Sequence, residues 1–441
     1  MNKHIGTIKR WRVQIFAITW LAYAAFYFTR KAFSVAKLGI GEDPTFHMDK
    51  MAMANLDAIY LAAYAVGQFT WGILADRYGP RVVVLGGLII SVLAALVMGT
   101  FATLPIFATC MLIQGLAQST GWAALCKNIG SFFPAKQRGQ VLGLWSSSYA
   151  FGGLVASPFA GWWAYTLIGS WHAAFISSAA VVAVTAVLFF IFQRNKPEDV
   201  GLPAVEPEPQ MSAEEIEAEK KLGFWAPLRE IMRNRTVLIL GLAYFMLKPA
   251  RYAILLWGPV IVFEQMPQVG KVGAAIIPTA FELAGLLGPV MIGVASDKIF
   301  GARRMPACIL SLLALTISLA FFMGALQSGS VLIVVALLFV MGLTLYGPDS
   351  MICGAAAIDF GTAKAGATAA GFVNGCGSVG AVLGGLLPGY FDTVTVFIVF
   401  SCCALFSALV LIPYWNSRPD GYRRECAFVP NHPLLIKPLR T

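Results

Sequence analysis

Charge is what this sequence has least of. Asp, Glu, Lys and Arg make up 12% of its 441 residues, where a soluble chain carries about 25%. With 58% hydrophobic residues and a mean hydropathy of +0.73, an ordinary soluble domain is excluded. Strand-type alternation of polar and apolar residues is missing too. The apolar runs are continuous, which excludes a membrane β-barrel and leaves helices of roughly 20 apolar residues each. Paired cysteines are absent: Cys110, Cys126, Cys308, Cys353, Cys376, Cys402 and Cys403 lie in apolar runs without a Cys-x-x-Cys spacing. They read as small buried hydrophobes, not as a disulfide framework or zinc site. No metal cluster and no nucleophile–base pair occurs in the spans, so neither an enzyme nor a cofactor is expected.

What charge there is has a pattern. The formal net charge is +10, yet no nucleic-acid partner is expected, because the cations sit in short loops and at both ends. Lys3, Lys9, Arg10 and Arg12 precede the first span; Arg77, Arg81, Lys136, Arg138, Arg303 and Arg304 lie in loops; Arg418, Arg423 and Arg424 follow the last span. Alternate loops are nearly free of them. Positive loops mark the cytoplasmic face, so both termini are expected inside and the number of spans is even. The first apolar run holds Arg30 and Lys31 without a small-residue cleavage site after it, and reads as a retained helix, not a signal peptide.

Apolar runs fall at 12–38, 52–75, 82–102, 105–130, 138–167 and 170–193, and again at 235–263, 270–298, 304–326, 329–353, 365–388 and 390–414. An all-α membrane protein of twelve transmembrane helices is expected. Its parts are a first six-helix bundle (1–193), a Pro- and Glu-rich cytoplasmic linker (194–234), a second bundle (235–414) and a basic cytoplasmic tail (415–441). A capping box at Ser212 and Glu215 predicts a short surface helix in the linker. The halves repeat each other. Gly72 to Arg77 ends the second span as Gly293 to Lys298 ends the eighth, and Asp297 follows Asp76 by 221 residues. The same offset places Tyr23, Tyr27 and Arg30 on Tyr244, Lys248 and Arg251. Parallel six-helix repeats pack about an axis along the membrane normal, with the substrate site between them near the midplane.

An ionisable side chain at the bilayer centre costs on the order of 2.5–3.5 kcal/mol on insertion scales. The residues singled out inside the spans are Arg30, Lys31, Lys127, Lys248, Arg251 and Glu282, with Asp349 and Asp359 towards the end of the tenth. Cations outnumber acids, and an anion in the cavity would neutralise the excess. Lys248 and Arg251 are three apart and share a helix face with Tyr244 one turn away; Tyr23, Tyr27 and Arg30 repeat that face. An arginine fork holds phosphate through two parallel hydrogen bonds, tyrosines add neutral donors, and a phosphate monoester carries about −1.5 to −2 charges. Arg30 has a second reading, snorkelling to the headgroups. Lys31 and Lys127 can equally be ion-pair or packing residues, and Glu282 a structural partner for a cation. Gly72, Asp76, Arg77, Arg81, Asp297 and Arg303 form loop motifs expected to hold the halves in one gated state. His172 reads as a packing residue, His47 and His432 as surface histidines.

The stretch from Gly72 through Asp76 and Arg77 to Arg81 resembles the signature of the major facilitator superfamily. More specific stretches resemble its organophosphate:phosphate antiporter family. They are Tyr27 to Lys31; Gly115, Gln118, Gly121, Trp122 and Lys127; Gln137, Arg138 and Gly139 with Trp145; Trp171 to Ala174; and Pro197 with Gly201 to Pro203. The second half adds Arg251, Tyr252, Ile254 and Trp257, then Phe281, Glu282, Ala284 and Gly285, Tyr346 to Pro348, and Ala370 to Phe372. The likeness covers roughly residues 10–415.

The resemblance implies substrate phosphate held between Arg30 and Arg251; Lys31, Lys248, Tyr23, Tyr27, Tyr244, Trp122, Tyr149 and Tyr346 are the further candidates expected around it. It implies alternating access by rocking of the halves, inorganic phosphate as counter-substrate, an inner-membrane location in lipid, and a monomer. Three positions depart from the family's habit. Gln68 stands where a Lys is frequent, Tyr149 where a His is, and Leu256 where an Asp is, while Lys248 replaces a frequent Tyr. Lys248 is therefore expected to join Arg251 on the anion. The alternatives are a membrane receptor for sugar phosphate that signals to a sensor kinase, and a carrier of a phosphonate or other organic anion.

Overall fold

The computed structural model describes residues 2–134, 141–205, 232–301, 303–360 and 366–417. Among them no strand occurs, and the helices follow the two groups of six read from the apolar runs. The first span is one helix, Asn2–Ile40, starting ten residues earlier than its apolar run. The second is Lys50–Tyr78, opened by the Asp49 carboxylate, which accepts from the Ala52 N–H. Gly79, at φ 82°, makes the tight turn into the third, Pro80–Thr100. The fourth, expected unbroken, is interrupted between Leu104–Gln118 and Gly121–Phe132. There Ser119 and Thr120 turn their hydroxyls onto the main-chain carbonyls of Leu116 and Ala117, the local competition that makes such residues poor in helix interiors. The fifth runs through Ser147–Trp162 into a π-helical turn at Trp163–Leu167, and the sixth is His172–Phe192.

In the second half the seventh span is Arg235–Gln265, capped by the Asn234 side chain. The eighth is Gly270–Ile276 followed by Thr279–Val294 and a π-helical turn at Ala295–Ile299. The ninth is Arg304–Gln327, and the tenth is Val331–Ser350 with a π-helical turn at Met351–Ala356. The eleventh is Gly366–Tyr390 and the twelfth Thr393–Leu411. Among the described residues, eight helices are long and apolar enough to cross a membrane by length and composition alone. Most of the expected linker (206–231), including Ser212 and Glu215, and the tail from 418 lie outside the described residues.

Across the halves the first span packs on the seventh, the second on the eleventh and the fifth on the eighth; the third pairs with the sixth and the ninth with the twelfth at the periphery. Large apolar side chains such as Leu93, Val184, Phe321 and Leu409 stay exposed on that periphery, as lipid-facing positions would. Small residues allow the close crossings. A Cβ at Gly389 would come within 2.2 Å of the Ala54 Cβ, and one at Gly380 within 2.1 Å of the Phe245 carbonyl oxygen.

Proline shapes the seventh span in a way that matters for the site. Pro249 and Pro259 lie inside it. Each lacks an N–H, which frees the carbonyl four residues earlier, and neighbouring helices must satisfy it. Pro259 frees Leu255, whose carbonyl accepts from Lys31 Nζ at 2.8 Å and from Ser34 Oγ at 3.3 Å, both on the first span. Pro348 acts likewise on the tenth span: the freed Thr344 carbonyl accepts from Ser311 Oγ of the ninth at 2.9 Å.

Candidate functional site

The first span carries its arginine on the inner face, nearly buried at 5% exposure. Arg30 donates through Nε to Gln118 Oε1 at 3.0 Å. Tyr60 OH donates to the same oxygen at 2.7 Å, and the Gln118 amide donates to Thr29 Oγ1 and Gln114 Oε1. The Tyr27 and Tyr64 rings lie 4.4 and 4.9 Å from the guanidinium carbon, within cation–π range. No carboxylate is paired with Arg30 among the described residues. It is held by neutral groups. Snorkelling does not describe it, since its contacts are with buried spans two and four.

The seventh span presents Lys248 and Arg251 on one face, as the spacing predicts. Both reach Asp349 of the tenth span: Lys248 Nζ lies 3.0 Å from Oδ1, and Arg251 Nη1 donates to Oδ2 at 2.9 Å. The Tyr149 and Tyr346 rings lie 5.0 and 4.6 Å from the Arg251 guanidinium and stack on each other across the halves, 6.2 Å between centroids. Tyr244 lies 4.7 Å from Lys248 Nζ. Tyr149 of the first half reaches Arg251 and stacks on Tyr346 of the second, so the halves meet in one layer here.

Lys31 belongs to a different contact. Its ammonium lies 3.5 Å from Glu282 Oε1 of the eighth span, besides bonding the Leu255 carbonyl. Glu282 also accepts from Tyr346 OH, so Tyr346 touches both the Lys31–Glu282 pair and Arg251. This fits the structural-partner reading of Glu282. Tyr23 and Trp122 form a wall with Trp145 and Tyr27, the Tyr23 ring lying 5.1–6.3 Å from the other three. Lys127 is exposed.

Four groups in or beside this layer were not singled out as ligands or partners by sequence: Asp349 as the shared partner of Lys248 and Arg251, the Tyr60–Tyr64 pair, Gln118 as the Arg30 holder, and, nearer the fastened end, the fully buried ion pair Lys37–Asp57. Tyr60 and Tyr64, one helical turn apart, and Asp57 inside an apolar run were the available signals.

The loop motifs brace each half internally. Gly72 and Asp76 fall in the last turns of the second span, and the Arg77 guanidinium lies over the Tyr78 ring. The Arg81 main-chain N–H donates to Asn195 Oδ1 at 2.8 Å, and the Arg81 guanidinium donates to the Phe190 carbonyl. Asp297 pairs with Arg304, while Arg303 donates to the Phe300 carbonyl and to Asn416 Oδ1. His172 packs as expected, stacked on Trp171 with Nδ1 3.1 Å from the Gly99 carbonyl.

The halves are fastened at the opposite end, where the loops after the first, seventh and eleventh spans meet. Lys50–Glu264 and Lys271–Glu42 are ion pairs at 2.6 Å, and Tyr390 OH donates to Asn55 Oδ1 at 2.8 Å. Among the described residues, every hydrogen bond and ion pair between the halves lies at this end or in the adjoining arginine layer.

The sequence profile of the Major Facilitator Superfamily matches residues 19–347. A probable hexose phosphate transport protein of Chlamydia muridarum (strain MoPn / Nigg) is 28% identical, the alignment covering 95% of this chain and 94% of that one. The putative glycerol-3-phosphate transporter 5 of Arabidopsis thaliana is 28% identical over 93% and 92% of the two chains. The membrane sensor protein UhpC of Escherichia coli (strain K12) is 28% identical over 92% and 93%. Among solved structures, a D-xylose–proton symporter superposes with a TM-score of 0.72 at 15% identity, covering 91% and 97% of the chains.

Proposed function

The chain belongs to the Major Facilitator Superfamily as a multi-pass membrane transport protein and not an enzyme, and on that premise we propose that it exchanges a small organophosphate for inorganic phosphate by alternating access. The carrying observation is the pair of buried arginines on the two repeats. Arg30, Arg251 and Lys248 bring three positive charges and Asp349 one negative charge, with Lys31 and Glu282 neutralising each other. The layer is thus two charges positive, matching a phosphate monoester of about −1.5 to −2. Hexose phosphate and glycerol-3-phosphate are the substrate classes that the names of its relatives supply.

In this reading the phosphate sits between the Arg30 and Arg251 forks, with Tyr27, Tyr149 and Tyr346 as neutral donors and Lys248 as a second cation. The termini face the cytoplasm of a bacterial inner membrane, so the fastened end faces outward and must release in each cycle.

The test is uptake of labelled phosphate into phosphate-loaded proteoliposomes, competed with glycerol-3-phosphate, hexose phosphates, phosphoglycerates and phosphonates. Saturable exchange, lost in Arg30→Ala and in Arg251→Ala, is expected. Binding without exchange would instead support a sensor, the reading favoured by the likeness to UhpC. Neither binding nor competition would overturn the organophosphate assignment.

A further inference from the structure

Between Arg30 and the fastened end lies a second charged arrangement that anion binding does not use. Lys37 of the first span and Asp57 of the second form a fully buried ion pair. The same ammonium crosses to the other half, donating to the Leu256 carbonyl at 3.2 Å and lying 3.8 Å from the Trp257 ring. Trp257 Nε1 in turn donates to the Gly385 carbonyl of the eleventh span at 2.9 Å. Lys37 therefore holds the seventh and eleventh spans against the first half, and Asp57 sets where its ammonium stands.

Two polar atoms nearby lack a partner: Asp57 Oδ1 and Arg30 Nη2, both buried. Both side chains line one small cavity of about 10 Å³, together with Thr29, Tyr60, Gln114 and Gln118. One water occupies roughly that volume and needs two to four polar partners. The unpartnered pair are a charged donor and a charged acceptor, each able to engage one water.

We propose that this cavity is a built hydration site whose water joins Arg30 Nη2 to Asp57 Oδ1, making Asp57 a positioning residue that couples an anion on Arg30 to the Lys37 contact across the halves. The proposal rests on Arg30 as an anion-binding residue. An anion on Arg30 cancels the positive charge that Asp57 meets through the water. Asp57 then turns its full attraction to Lys37, drawing the ammonium from the Leu256 carbonyl and the Trp257 ring. The fastened end loosens when the site is filled and stays closed when it is not.

The test uses the full-length protein, with inorganic phosphate as the probe and two readouts. The phosphate-dependent shift in melting temperature reports binding. Hydrogen–deuterium exchange of residues 252–262 and 383–390 reports the fastened end. In the wild type, saturating phosphate is expected to raise exchange in both segments at least threefold. Asp57→Asn is expected still to bind phosphate, as read from a melting shift, but to lose that rise and lower the maximal phosphate exchange rate at least tenfold. The double variant Lys37→Met/Asp57→Leu leaves no buried unpaired charge, and is expected to exchange deuterium rapidly with or without phosphate. It carries the test if the single variant fails to fold. A phosphate-induced rise that persists in Asp57→Asn, or a double variant that stays closed without phosphate, overturns the proposal. A wild type with no phosphate-dependent melting shift overturns the anion-site reading itself, and this one with it.

Discussion

The two arms of the arginine layer occupy equivalent positions in the two repeats yet are set up differently. Arg30 is held by a glutamine, with tyrosine rings on its faces; Arg251 shares the Asp349 carboxylate with Lys248. The first arm offers an uncompensated charge. The second offers two cations sharing one carboxylate, so on the proposed function an incoming phosphate would compete with Asp349 there. On that reading one repeat is the attracting arm and the other the adjustable arm, although both carry one pattern of aromatic and basic residues.

That contrast breaks most decisively at Asp349. Asp349→Asn removes the competing acid, and phosphate affinity, read from the melting shift against phosphate concentration, is expected to rise about tenfold, or about 1.4 kcal/mol. The unliganded variant is expected to be destabilised, because breaking a buried pair leaves cations unanswered, commonly at a cost of about 3–5 kcal/mol. Weaker phosphate binding would show Asp349 orienting Arg251 instead of competing for it. A smaller effect is expected on the other arm. Gln118→Leu removes the acceptor of Arg30 Nε and of Tyr60 OH. Phosphate KM is expected to rise about fivefold, the equivalent of about 1 kcal/mol for one hydrogen bond, with the maximal rate little changed; an unchanged KM would make Gln118 a packing residue. The smallest effect lies outside the layer, in the loop after the first span. There the Trp171 indole and the Thr45 side chain and main chain hold the Asp43 carboxyl well below the usual carboxylate range. A depressed carboxyl stabilises the fold above the ordinary carboxylate value of about 4 and loses that contribution as pH falls through its folded value. Trp171→Phe is therefore expected to lower the melting temperature modestly at pH 7, with the difference from wild type shrinking at strongly acidic pH. A gap that does not depend on pH would assign the loss to packing.

The helical architecture and the two basic faces were legible because they are periodic. Apolar runs count spans, and one 221-residue offset ties Tyr23, Tyr27 and Arg30 to Tyr244, Lys248 and Arg251. Spacing reports which residues share a face. It does not report what that face meets. Asp349 lies 98 residues from Arg251 in sequence, and nothing in either run says that the tenth span sits opposite the seventh. Lys37 and Asp57 were passed over for a related reason: each sits close to a span end, where a charge is easily read as solvated, whereas helix crossing buries both. The break in the fourth span was written in Ser119 and Thr120, but a long apolar run masks two polar residues.

Pro259 bears on how such a protein is read across many sequences. The carbonyl it frees, that of Leu255, is a main-chain atom, so no exchange of the residue at 255 removes the acceptor that Lys31 uses. Coevolution between positions, which tracks side chains, would link 31 to 259 and not to 255. The apparent partner of the lysine would be an imino acid with no polar side chain, one helical turn from the true contact.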